Sequence, residues 1–175
     1  MEKIAKRLEK KSLSGKDVLD LVCGKANLLT YSELMKYKDI DEAMGPHKAL
    51  ILLFETKSGF GHWCCVFRLD RNTIEFFDPY GIKPDEELKW TKDYLIKKHG
   101  KAYPYLTWLL VNSKYEKITY NHHKFQKYQK DVNVCGRHVG LRLCGRKVPL
   151  NSYIKLFTQS KFDSDLLVTM MTMFL

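Results

Sequence analysis

Residues 49–81 read ALILLFETKSGFGHWCCVFRLDRNTIEFFDPYG. Three apolar or β-rich runs stand out: ALILLFET (49–56), WCCVFRLD (63–70) and TIEFFD (73–78). They are separated by Ser58-Gly59-Phe60-Gly61 and by Arg71-Asn72, both turn chemistry. The pattern predicts three adjacent strands, the last two forming a hairpin that ends in the turn Asp78-Pro79-Tyr80-Gly81. Alternate strand residues face opposite sides, so at most one of Cys64 and Cys65 is expected to face the core.

Working outward, residues 2–11 read as a short, very basic helix. Ser14 is positioned to cap a helix running to about Val22, with Gly24 just past its end. Residues 31–37 suggest another short helix. Downstream, Pro84 suits a first helical turn and Asp85, Glu86 and Glu87 suit its positive end. Lys97, Lys98 and His99 would close that helix and Gly100 would stop it. LTWLLVNS (106–113) reads as a fourth strand, and 114–130 as a polar, basic stretch. Cys135–Leu143, 150–158 and 164–174 read as helices. No repeat or linker divides the chain. The interleaved elements imply α+β: a mixed central sheet flanked by helices in a single domain, residues 1–175.

Hydrophobic residues make up 45% of the 175, enough to bury a core and to exclude global disorder. The formal charge of +10 suits an acidic partner such as nucleic acid, or simply solubility. The five cysteines include no CxxC pair, so neither a closed disulfide framework nor a structural zinc site is expected, and no metal is assigned. The N-terminal MEKIAKRLEKK is followed by no apolar segment, and the run Leu166–Leu175 is too short to span a bilayer. These features are read as a soluble intracellular protein with no membrane partner.

Four residues form a chemical constellation. Cys135 opens a helix, where the dipole and free backbone N–H groups favour the thiolate. Gly136 beside it leaves room for a substrate backbone. His62, at a strand start, is the imidazole that a thiol needs as base. Asp78, 78 − 62 = 16 residues on, is placed by the hairpin to orient it. Gln129, 135 − 129 = 6 residues before the thiol, offers an amide to an oxyanion, with Gln126 as its rival. Trp63 is read as shielding the cleft or stacking on substrate. Taken singly, each residue has a blander role: a buried structural cysteine, a surface histidine, a turn aspartate, a solvated glutamine, a core tryptophan.

The order His62, Asp78, Gln129, Cys135, with the segments GFGHW, EFFDPYG and Q-x5-CG, resembles the clan of adenovirus-type and SUMO-deconjugating cysteine proteases. The adenain-like branch is the closer match, from about residue 14 onward and most clearly over 46–81 and 126–144. The resemblance implies Cys135 as nucleophile, His62 as base, Asp78 as orienting acid and Gln129 as oxyanion donor, on a papain-related fold. It implies an endopeptidase of virion maturation in a DNA virus, virophage or Polinton-like element. Such an enzyme cleaves capsid or precursor proteins after small residues such as Gly, in the virion and in the infected-cell cytoplasm or viral factory. Asp78 stands where the adenovirus enzymes have Glu, one methylene longer. The resemblance also brings in DNA as activator or track and an activating peptide, although none of Cys23, Cys64, Cys65 and Cys144 is assigned as a peptide-linking thiol. A monomer is expected. Two rival readings are a deconjugase of ubiquitin-like modifiers and a non-catalytic basic nucleic-acid-binding protein.

Overall fold

The β-rich runs form the centre of a five-stranded sheet in a computed structural model that describes residues 1–90 and 104–174. Strands β1 (Asn27–Thr30), β2 (Ala49–Lys57), β3 (Phe60–Arg68), β4 (Thr73–Phe77) and β5 (Lys117–Tyr120) lie side by side in chain order. The middle three pair antiparallel, with Leu52 opposite Cys64 and Phe67 opposite Glu75. Both outer strands pair parallel, β1 to β2 and β5 to β4. The sheet is therefore mixed and the class is α+β, as the sequence implies.

Helices α1 (Glu2–Leu8), α2 (Gly15–Leu21), α3 (Tyr31–Leu34), α4 (Ile40–Met44), α5 (Tyr105–Val111), α6 (Cys135–Cys144), α7 (Leu150–Thr158) and α8 (Ser164–Thr172) surround it. One face of the sheet, with Ile51, Leu53, Trp63, Cys65 and Phe77, packs with Val18, Val139, Phe157 and Val168 from α2, α6, α7 and α8. The other, with Leu50, Leu52, Cys64, Val66 and Phe76, packs with Leu34, Ala43 and Leu109 from α3, α4 and α5. Burial on both faces explains why β2 reads as a continuous apolar run rather than an alternating one. It also corrects the expectation for the cysteine pair: Cys64 and Cys65 point to opposite faces, and both are fully buried because each face has its own core.

Local signals set several helix starts. Ser14 and Asp17 form a reciprocal capping box at α2, and Thr30 with Glu33 does the same at α3. Gly24 takes a positive φ just beyond α2. LTWLLVNS is helix, not strand: Leu106, Leu109 and Leu110 are buried at helical spacing while Trp108 and Val111 are exposed. The polar stretch 114–130 contributes an edge strand, β5. After Pro84 the chain forms a 3-10 turn, Glu86–Trp90, and the expected helix end at Lys97–Gly100 lies outside the described residues.

Candidate active site

Strand β3 runs beyond its last pair with β4, Cys65 opposite Phe77, and His62 and Asp78 stand where the two strands part. His62 Nε2 lies 2.9 Å from Asp78 Oδ2, with both side chains buried, so the ring N–H donates to the carboxylate. The phenol ring of Tyr80 stacks on the imidazole, centroids 4.3 Å apart and planes 15° from parallel. The imidazole is thus held by a hydrogen bond at one nitrogen and by an aromatic face.

Asp78 is fixed by the turn it opens. Its Oδ1 accepts from the Tyr80 backbone N–H at 2.6 Å, and its own N–H donates to Asn121 Oδ1 at 2.9 Å. The Asn121 amide returns a bond to the Asp78 carbonyl at 2.6 Å. Gly81 follows with φ +71°, and an added Cβ would meet the His122 and His123 carbonyl oxygens at 2.8 Å. This position therefore needs glycine both for its backbone and for the close approach of the 121–123 loop.

The same turn docks the segment leading to Cys135. The backbone N–H groups of Phe125 and Gln126 both donate to the Pro79 carbonyl at 2.9 Å. Gln126 is buried, and its amide donates to Val132 O at 3.1 Å and to the Tyr80 hydroxyl at 3.4 Å. Cys135 is the first residue of α6, which packs on β3, α2 and α8. The N-cap is Val134, which has no side-chain acceptor for the first-turn N–H groups.

Two adjoining cavities, of about 260 and 270 Å³, meet at Cys135. One is walled by Leu13, Ser14, Gly59 and Trp63, the other by His62, Tyr80, Trp90, Gln126 and Tyr128. Ser12, Phe60, Gly61, Asn133 and Cys135 are common to both. The result is a cleft crossing the thiol. Phe60 is 56% exposed and Tyr128 64% exposed, so its rim offers aromatic surface.

His62 and Cys135 line this cleft, and Asp78 is bonded to His62. Three other assignments change. Gln129 is exposed and absent from the cleft walls, whereas Gln126 lies in them. The reason is the Pro79 carbonyl, which anchors residue 126 and leaves 127–131 as an outer loop. Gly136 is buried against protein: an added Cβ would meet Val18 Cγ2 at 2.8 Å and Leu13 Cβ and Trp63 Cδ1 at 3.3 Å. Its small size allows α6 to approach α2 and β3, rather than admitting substrate. Trp63 is a core residue, 5% exposed, whose indole N–H donates to the Leu13 carbonyl at 3.3 Å and whose side chain also walls one cavity.

Sequence reasoning missed two groups. Tyr80 reads in the sequence as part of a turn, and the structure stacks its ring on His62. Glu87 was read as a helix-start acid, and it is buried with Oε1 3.9 Å from His62 Nε2. Burial raises Glu87 well above the usual carboxylate range, and its hydrogen bond and charge interaction with Asp78 raise it further. Burial also raises Asp78, opposed by hydrogen bonds from Glu87 and from the Tyr80, Ile82 and Gly81 backbone. His62, Asp78 and Glu87 each bring one polar atom within 4.8 Å of the others. The short His62–Asp78 bond occupies two of those atoms.

The remaining charge is concentrated elsewhere. A cavity of about 550 Å³ is lined by His47, Lys48, Arg68, Arg71, Arg146 and Lys147, with Asp70. It lies at the opposite end of the β2–β3 pair from His62, because Lys48 precedes β2 and Arg68 ends β3. No helix among the described residues is long and apolar enough to cross a membrane.

No protein-family model matches the chain. It is 40% identical over 171 residues to the uncharacterized protein V9 of Sputnik virophage, covering 95% of this chain and 97% of the relative. A likeness of that extent makes this a viral protein of the infected-cell setting, a member of the family of Sputnik virophage protein V9.

Proposed function

We propose that this chain is a cysteine endopeptidase that processes viral capsid or precursor proteins by acyl transfer. The observation that carries the reading is the buried His62–Asp78 bond on the cleft that also contains Cys135 at the start of α6. Because Nε2 of His62 is engaged with Asp78, Nδ1 is the nitrogen left to take the thiol proton. The thiolate adds to the scissile carbonyl carbon, and its electron pair passes to oxygen. The uncapped first-turn N–H of Cys135 receives that oxyanion, joined by the Gln126 amide as one N–H turns to it from the Tyr80 hydroxyl, 3.4 Å away. The imidazolium returns its proton to the leaving amine, the C–N bond breaks and a thioester remains. Water, deprotonated by His62, then releases the acid and restores the thiol. Gly61 and Cys135 both line the two cavities, and cleavage beside small residues such as Gly is part of this reading.

The basic cavity supports DNA as a partner, held away from the cleft as activator or track. An activating peptide linked through a thiol would use Cys23 or Cys144, which are exposed, rather than the buried Cys64 or Cys65.

The test is site-resolved iodoacetamide labelling of the native protein, followed by digestion of Gly-containing peptides from the capsid proteins. Wild type is expected to label fastest at Cys135 and to cleave. Cys135→Ala is expected to lose all cleavage while melting as wild type does. Turnover retained in that variant would end the proposal. DNA binding that fails to weaken steeply with salt would remove DNA from it.

A further inference from the structure

The mechanism above leaves unused the buried acid that lies beside the histidine–aspartate pair. Glu87, in the 3-10 turn Glu86–Trp90, is 1% exposed, with its Oε1 3.9 Å from His62 Nε2 and a carboxyl oxygen within 4.8 Å of one of Asp78. Two carboxyl groups this close and this buried cannot both be charged, so the pair holds a proton. Its location follows from the neighbours. Asp78 accepts from the Tyr80 N–H at 2.6 Å, from further backbone N–H groups of the turn and from His62 at 2.9 Å, all of which favour its anion. Glu87 faces Asp78, His62 and the buried Cys64 thiol, while Leu52 and Phe54 of β2 share its side of the sheet and bring no charge. His62 is the sole basic side chain in that set and is already bonded to Asp78. The proton therefore belongs to Glu87.

We infer that Glu87 is a positioning residue: a neutral carboxylic acid whose O–H donates to Asp78, holding that carboxylate toward His62 and limiting the site to one negative charge. This rests on the triad reading given above. Geometry gives it a purpose. Asp78 has a short side chain, so a second donor restricts the swing that would break its bond to the imidazole. A single buried anion also matches the single imidazolium formed when the thiol loses its proton.

The experiment uses the full chain as wild type, Glu87→Gln, Glu87→Leu and His62→Ala, and reads Cys135 labelling by iodoacetamide from acid to alkaline pH. Gln keeps a neutral donor, so its profile is expected within about twofold of wild type. Leu removes the donor and is expected to slow labelling near neutral pH by about 10–100-fold and to shift the acidic limb. If Leu labels as wild type does, or Gln falls as far as Leu, the inference is overturned. His62→Ala separates the two layers. If it leaves labelling unchanged, the triad reading itself fails; if it slows labelling while Leu does not, only the role of Glu87 fails. Should Leu not fold, the infrared difference between wild type and Glu87→Gln at pH 7 decides. Loss of a protonated-carboxyl stretch supports the assignment, and loss of a carboxylate band overturns it.

Discussion

The two ends of α6 differ: the C-terminal end binds a buried carboxylate of β4, Glu75, and the N-terminal end opens on the cleft where His62 is bonded to Asp78. At the C-terminal end, Arg142 grips Glu75 with two parallel bonds of 2.8 and 2.9 Å. Its remaining Nη donates to the Gly145 and Val148 carbonyls at 3.0 Å, and its plane lies over Phe67 and Tyr153. Both side chains are fully buried, and that network is closed. At the N-terminal end, Cys135 is half-buried on a cleft, the helix has no side-chain cap, and the carboxylate side is met through His62. The closed end gives a fixed frame. The open end keeps donors and a thiol unspent, which is what a reacting group requires.

The sharpest way to break this comparison is at the closed end. Arg142→Met leaves the Glu75 charge buried alone and is expected to cost about 3–5 kcal/mol of stability by urea unfolding. Adding Glu75→Leu should recover most of that loss, with Cys135 labelling kept in the folded protein. At the open end, Gln126→Ala is expected to lower kcat/KM on a cleaved peptide by about 10²–10³-fold, and to cost about 1–3 kcal/mol in unfolding because the Val132 carbonyl loses its donor. Gln129→Ala should leave kcat/KM alone, since its side chain is exposed and off the cleft. Equal effects of the two would return the oxyanion role to the outer loop. A purely packing effect belongs to the residue after the thiol. Gly136→Ala pushes a methyl against Val18, Leu13 and Trp63 and is expected to cost about 1–3 kcal/mol in thermal or urea unfolding. Thiol reactivity should follow only as far as α6 is displaced.

The other helix starts show why parts of this were legible. Ser14, Thr30, Asp39 and Asp163 each cap a helix through their own side chains, so a short sequence window carries the signal. Thr30, Asp39 and Asp163 were nevertheless passed over as caps. The run 106–113 was misread because a continuous apolar stretch does not distinguish a buried strand from a helix; only the burial of Leu106, Leu109 and Leu110 does so. Strand β5 was hidden among lysines, since a four-residue edge strand depends on pairing with β4 more than on its own residues.

By itself the sequence determined the central strands, the hairpin, the capped α2 and the spacing that brings His62 to Asp78. These rest on contacts between near neighbours in the chain or on period-two patterning. Tertiary structure alone decided which glutamine reaches the cleft, that both Cys64 and Cys65 are buried, that Gly136 serves packing, and that Glu87 lies beside the histidine–aspartate pair. Each depends on a surface supplied from far along the chain: the Pro79 carbonyl for Gln126, a second helical layer for the cysteines, Val18 for Gly136, and the parting of β3 and β4 for Glu87. A residue's own type and spacing carry no record of those distant partners.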